Sequence, residues 1–89
     1  MIFITLSKFR KPASKKIIAE SDKHLNKFTK EGCKMLSLYW TLGKYDAVGI
    51  WQAKNEKVAM KTLLRFSDTD LTETLVAIPR KEAVKLLEE

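Results

Sequence analysis

The sequence predicts an α+β domain, a four-stranded antiparallel sheet with helices on one face. Three observations predict it. Four segments alternate apolar residues with a period of two, the signature of strands. Two lysine-rich stretches between them place apolar residues at helical spacing. Gly32, Gly43 and Pro79 fall at junctions between these segments, where chain reversals need them.

Taken in order, Ile2 to Phe9 sets Ile2, Ile4 and Leu6 against Phe3, Thr5 and Ser7, a first strand. Pro12 suits the first turn of a helix running from Ala13 to Lys30. Its apolar stripe, Ile17, Ile18, Leu25 and Phe28, is thin because Ser21 and His24 interrupt it. Gly32 ends that helix, tolerating the positive φ found there. Cys33 to Leu42 reads as a second strand and Ala47 to Ala53 as a third. Asn55 is a good cap, with Glu56 in the first turn, for a helix from Lys57 to Phe66. Leu71 to Ile78 alternates again, and Pro79 opens a short last helix carrying Ala83, Leu86 and Leu87. The order βαββαβ interleaves two right-handed crossovers. That is the ferredoxin-like plan with an added C-terminal helix, and 89 residues make it one domain, 1–89.

Composition narrows the function classes. At 89 residues, multidomain enzymes and repeat arrays are excluded. No apolar run approaches the roughly 20 residues of a membrane span. Met1 to Phe9 lacks the basic start and cleavage site of a signal peptide. A lone cysteine, Cys33, makes no internal disulfide and fits a reducing compartment, so the expectation is a cytoplasmic protein. The net charge of +6 comes from 17 basic and 11 acidic residues. Met1 to Lys34 holds all of this excess, so the lysines decorate the first helix as a solvated face.

The sheet face without helices is expected to be apolar rather than polar. Strand two carries Leu36, Leu38, Trp40 and Leu42 on one side, with Met35 and Tyr39 on the other. Such a face marks an interface, and packing against a second copy is the simplest solution. Register is a fork. A two-residue turn at Gly43-Lys44 puts Trp40 on the face of Trp51. A three- or five-residue loop puts Tyr39 there, and a bulge at Tyr45-Asp46 is a further option.

The candidate site residues are Tyr39, Thr41, Tyr45, Asp46 and Glu73. Asp46 either caps its own turn or accepts a hydrogen bond from a ligand. Tyr39 and Tyr45 either pack or offer hydroxyls to a pocket. Glu73 interrupts the apolar side of its strand, between Leu71 and Leu75; enclosed, its pKa would rise, and exposed it is merely solvated. His24 has no second histidine or cysteine at ligand spacing, so no metal and no cofactor is expected. No nucleophilic triad, P-loop or dinucleotide fingerprint occurs.

The run Tyr39-Trp40-Thr41-Leu42-Gly43-Lys44-Tyr45-Asp46-Ala47-Val48 resembles the GYD-domain family, and Thr72-Glu73-Thr74-Leu75 resembles that family's final strand. The resemblance is best from about Lys30 to Ile78. It implies a stand-alone module of the dimeric α/β-barrel type, in a family without an established activity. Leu71 stands where many members have arginine, and Glu31-Gly32 where many have Gly-Gly. The same hairpin is similar to the effector-sensing domain of the leucine-responsive regulator family, although no helix-turn-helix precedes it here.

The leading expectation is a homo-oligomer, itself its own partner, binding a small metabolite at a sheet-to-sheet interface. One alternative is a cofactor-free isomerase or oxygenase of the same architecture, using Glu73 or Asp46 as proton acceptor. The last is a single-strand RNA-binding module that stacks bases on Phe3, Tyr39 and Trp51. Strand three, Ala47-Val48-Gly49-Ile50-Trp51, lacks the basic and aromatic signature of such modules, so nucleic acid ranks last among partners.

Overall fold

A computed structural model describes residues 1–88. Its order is β1 (Ile2–Phe9), α1 (Lys15–Lys30), β2 (Lys34–Trp40), β3 (Ala47–Gln52), α2 (Glu56–Arg65), β4 (Asp70–Ala77) and α3 (Arg80–Lys85), then a 3-10 turn, Leu86–Glu88. The four strands form one antiparallel sheet in the order β2-β3-β1-β4. This is the ferredoxin-like arrangement, with β2 and β4 at the edges.

Local chemistry explains the boundaries. Helix α1 begins two residues later than Pro12 suggested, because Ser14 is the better cap: its Oγ accepts from the Ile17 N–H at 3.2 Å. Gly32 follows the helix at φ 88°, a conformation that costs other residues a steric clash. Asn55 caps α2 by accepting from the Val58 N–H at 3.0 Å, as its position implied. An ion pair between Glu31 and Arg65 ties the ends of α1 and α2 together.

The register resolves the fork in favour of Trp40 and Trp51 sharing a face. Trp40 pairs with Ala47 and Leu38 with Gly49, the pairing a two-residue turn would have given. The turn itself is longer. The ladder ends at Thr41, whose N–H donates to the Asp46 carbonyl at 2.8 Å, leaving Leu42 to Tyr45 as the loop. Gly43 carries a φ of 115° within it. The bulge is not at Tyr45-Asp46 but in β2, between Met35 and Ser37, where Leu36 is the extra residue. A bulge on an edge strand twists it away from further pairing.

The helix side of the sheet holds the core. Phe3 stacks on Trp51 with ring centroids 4.8 Å apart, and Phe28 of α1 closes on Trp51 at 5.2 Å. Burying each large apolar side chain contributes about 1.5–3 kcal/mol. Trp51 is fully buried, so its indole N–H needs a partner, and Nε1 donates to Thr5 Oγ1 at 2.9 Å. The Thr5 hydroxyl in turn lies 2.9 Å from that of Thr74 on β4. Cys33 is buried and free, with its Sγ 3.6 Å from Thr62 Oγ1 on α2.

The large buried side chains sit at this one end. Farther along the same side of the sheet the strands present Ser7, Ala47, Gly49 and Thr72, all small. Helix α3 adds nothing to the core; Leu86 and Leu87 in the turn after it are exposed. The lysines of α1 at 15, 16, 23, 27 and 30 all face solvent. Among the described residues, no helix is long and apolar enough to cross a membrane.

Candidate functional site

The open side of the sheet is apolar at its centre, with Lys8, Ser37, Gln52 and Glu73 towards its rim. Alternation directs Ile2, Ile4 and Leu6 of β1 to it, with Val48 and Ile50 of β3 and Leu71 and Leu75 of β4. Leu71 and Leu75 are about half exposed. One cross-strand row spans the whole face: Tyr39 opposite Val48, Val48 opposite Leu6, and Leu6 opposite Glu73. Tyr39 and Glu73 therefore mark its two edges, three strand spacings or roughly 14 Å apart.

The hairpin loop brings a second tyrosine to this row. Tyr45 leaves the end of β3, crosses β1 and donates its hydroxyl to Glu73 Oε2 at 2.7 Å. Lys44 Nζ sits 5.6 Å from the Tyr45 ring centroid, within cation–π range. Proton loss from Tyr45 is opposed chiefly by its hydrogen bond to Glu73 and also by that carboxylate's charge, so its pKa is raised above the ordinary 10.0. Thr41 fixes the loop from inside, its Oγ1 donating to the Tyr45 carbonyl at 2.7 Å. Thr41, Tyr45 and Glu73 thus form one connected group.

Asp46 does not cap its own turn. Its Oδ2 accepts from the backbone N–H of Phe9 at 2.7 Å. The β1–β3 ladder stops at Ser7 opposite Ala47, and the Asp46 N–H donates to the Ser7 carbonyl at 2.8 Å. Phe9 then has no backbone acceptor on that side, and the carboxylate supplies one. Tyr39 is exposed on the open side, and among the described residues its phenol has no hydrogen-bond partner. Glu73 is exposed too, so it is not an enclosed carboxylate within a single protomer. The three aromatics considered for base stacking do not meet: Phe3 and Trp51 are core residues on the helix side, whereas Tyr39 is on the open side.

Residues 3–87 match the GYD domain. The chain belongs to the GYD-domain family. No curated protein matches this GYD domain at a significant level. Among solved structures it is similar to the crystal structure of PH0061, with a TM-score of 0.58 and 18% identity over 86% of this chain. The GYD domain spans about half of that protein, 51% of its length. It is similar also to the structural-genomics protein YJCS, with a TM-score of 0.51 and 14% identity, covering 86% of this chain and 98% of the other. At such identities the likeness speaks for the fold alone.

Sequence reasoning passed over Ser7, Trp40 and Asp70, which the helix side of this GYD domain brings around a cavity. A signal for them was present. Three strands carry small residues at alternate positions, Thr5 and Ser7, Ala47 and Gly49, Thr72 and Thr74, beneath the thin stripe of α1. Small opposite thin leaves space.

Proposed function

We propose that this GYD domain is a self-associating module that closes its open sheet face against a second copy and holds a small metabolite at that seam. The observation that carries the reading is the apolar row from Tyr39 to Glu73, with its polar groups only at the two ends. A two-fold axis through such a face brings each edge to the other copy, so the contact is self-complementary. Four strands of about seven residues give a projected face of roughly 440 Å². With side-chain relief, this approaches the accessible area of roughly 800 Å² per partner in specific interfaces.

The metabolite would meet the unpartnered Tyr39 hydroxyl and the Tyr45–Glu73 pair, which closure removes from water. Thr41 and Asp46 act behind them, fixing the loop and the end of β1. Light scattering during gel filtration tests the association. A dimer is expected, and Ile50→Lys, in the middle of the open face, should yield a folded monomer. A wild-type monomer throughout the micromolar range overturns the proposal. Native mass spectrometry reads the second half: an added small mass on the dimer, lost in Glu73→Gln, supports the seam site, and a bare dimer rejects it.

A further inference from the structure

We propose that the cavity between α1 and the sheet is a binding site, separate from the seam, for a small cyclic apolar molecule bearing one hydrogen-bond donor. The cavity measures about 170 Å³. A dry apolar cavity of roughly 150 Å³ already accepts benzene. The sequence creates the space: Ser7, Ala47, Gly49 and Thr72 form the floor, and the apolar roof from α1 is Ile17, Ile18, Leu25 and Phe28. The void also has a way in. Leu38, Trp40 and Ile18 line it and yet are 47%, 62% and 41% exposed, so its mouth opens between α1 and the edge strand β2. Phe9 and Trp40 meet edge to face at 5.4 Å beside the mouth, an aromatic wall suited to a flat ring.

The charged side chains that line the cavity have one sign. Ser7, Thr72 and Asp70 occupy neighbouring positions at the end of the floor near the start of α1, and Ser21 and Asp22 line the cavity from the helix. No lysine or arginine lines the cavity. Two carboxyl side chains with no cation beside them select a ligand hydroxyl or amine over a carboxylate. Burial raises the Asp70 pKa, and Asp46 adds to the effect, while Thr69, Ser7 and His24 pull the other way.

Both tryptophans of the chain, Trp40 and Trp51, line the cavity, so intrinsic fluorescence reports its filling. The wild-type protein is titrated with phenol, benzylamine and toluene, and Ile50→Lys is titrated in parallel. Saturable responses are expected in both proteins, because the cavity lies on the side away from the seam. Gly49→Val fills the floor; it should weaken all three probes by about ten-fold or more without lowering Tm. If that variant fails to fold, Gly49→Ala serves, since its added Cβ meets no atom closer than 3.6 Å, and a smaller loss is expected. Asp70→Asn should weaken benzylamine by about ten-fold and leave toluene unchanged. No saturable response in the wild type, or undiminished binding in a folded Gly49 variant, overturns the site. Equal effects of Asp70→Asn on benzylamine and toluene overturn the donor requirement. Loss of binding in a folded Ile50→Lys monomer overturns its separation from the seam.

Discussion

The Tyr45 hydroxyl donates to the Glu73 carboxylate at 2.7 Å, joining the β2–β3 hairpin to the far edge strand across β1. In a single protomer the pair stands in water, where a hydrogen bond to a charge competes with solvent and adds little. Enclosure would change that balance, because the same bond in a low dielectric is electrostatically stronger. Ionising Tyr45 forfeits this bond and places a second negative charge beside Glu73. The folded phenol therefore holds its proton to higher pH than an unfolded one. In a Tyr39→Phe background, tyrosinate absorbance should rise at higher pH in the wild-type pair than in Glu73→Gln. The sign for stability follows: the contribution is complete below the ordinary value of 10.0 and is lost as pH climbs through the raised one. Coincident titration curves for the two proteins would show that the bond is not maintained in solution.

Thr5 carries more structural weight than its size suggests. It accepts from the Trp51 indole at 2.9 Å and also touches the Thr74 hydroxyl at 2.9 Å, linking three strands. Thr5→Val keeps the shape and leaves a fully buried N–H without a partner, at a cost of about 1–3 kcal/mol. Urea denaturation should show a lower midpoint with an unchanged slope, and Tm should fall by about 4–8 °C per kcal/mol lost. An unchanged midpoint would mean that the indole finds another acceptor.

Asp46 and Glu73 read alike in the sequence, as lone carboxylates beside apolar strands, yet only one has a backbone duty. Asp46→Ala removes the acceptor for the Phe9 N–H and should cost about 1–2 kcal/mol, whereas Asp46→Asn retains an oxygen and should cost much less. Hydrogen exchange at the Phe9 amide distinguishes the two, accelerating in the alanine variant and staying near the wild-type rate in the asparagine one. Equal rates in all three proteins would remove the carboxylate from this role.

These residues show what a one-dimensional reading captures. Period-two alternation fixes which side each strand residue takes, so the four strands and the apolar open face were legible. Ser14 and Asn55 follow rules for helix starts, and Gly32 and Gly43 follow from backbone sterics. The bulge at Leu36 was not legible, because nothing in Met35-Leu36-Ser37 distinguishes an extra residue from an ordinary alternation. Nor was the Asp46 bond to Phe9, which depends on where two ladders stop relative to each other. Cavities are harder still. They arise from what three separate strands omit at neighbouring positions, as Ser7, Ala47 and Thr72 do here.

Asp70 provides a test of that cavity wall that requires no ligand. It begins β4 opposite Phe9, partly buried, and desolvation is the main cause of its raised pKa. A carboxyl whose folded pKa lies above its ordinary 3.8 favours the folded state at low pH and loses that advantage as pH rises through the folded value. Near neutrality the ionised group is thus a burden on folding, and Asp70→Asn should relieve it while keeping an oxygen for the Ser7 and Thr69 hydroxyls. The variant should be more stable than the wild type at pH 7, and the difference should vanish below pH 3.8, where the unfolded carboxyl is protonated as well. Urea midpoints measured across this range give the answer. A variant that is less stable at pH 7 would show that the charge is solvated through the cavity mouth, and that Asp70 faces water rather than the ring-sized space beneath α1.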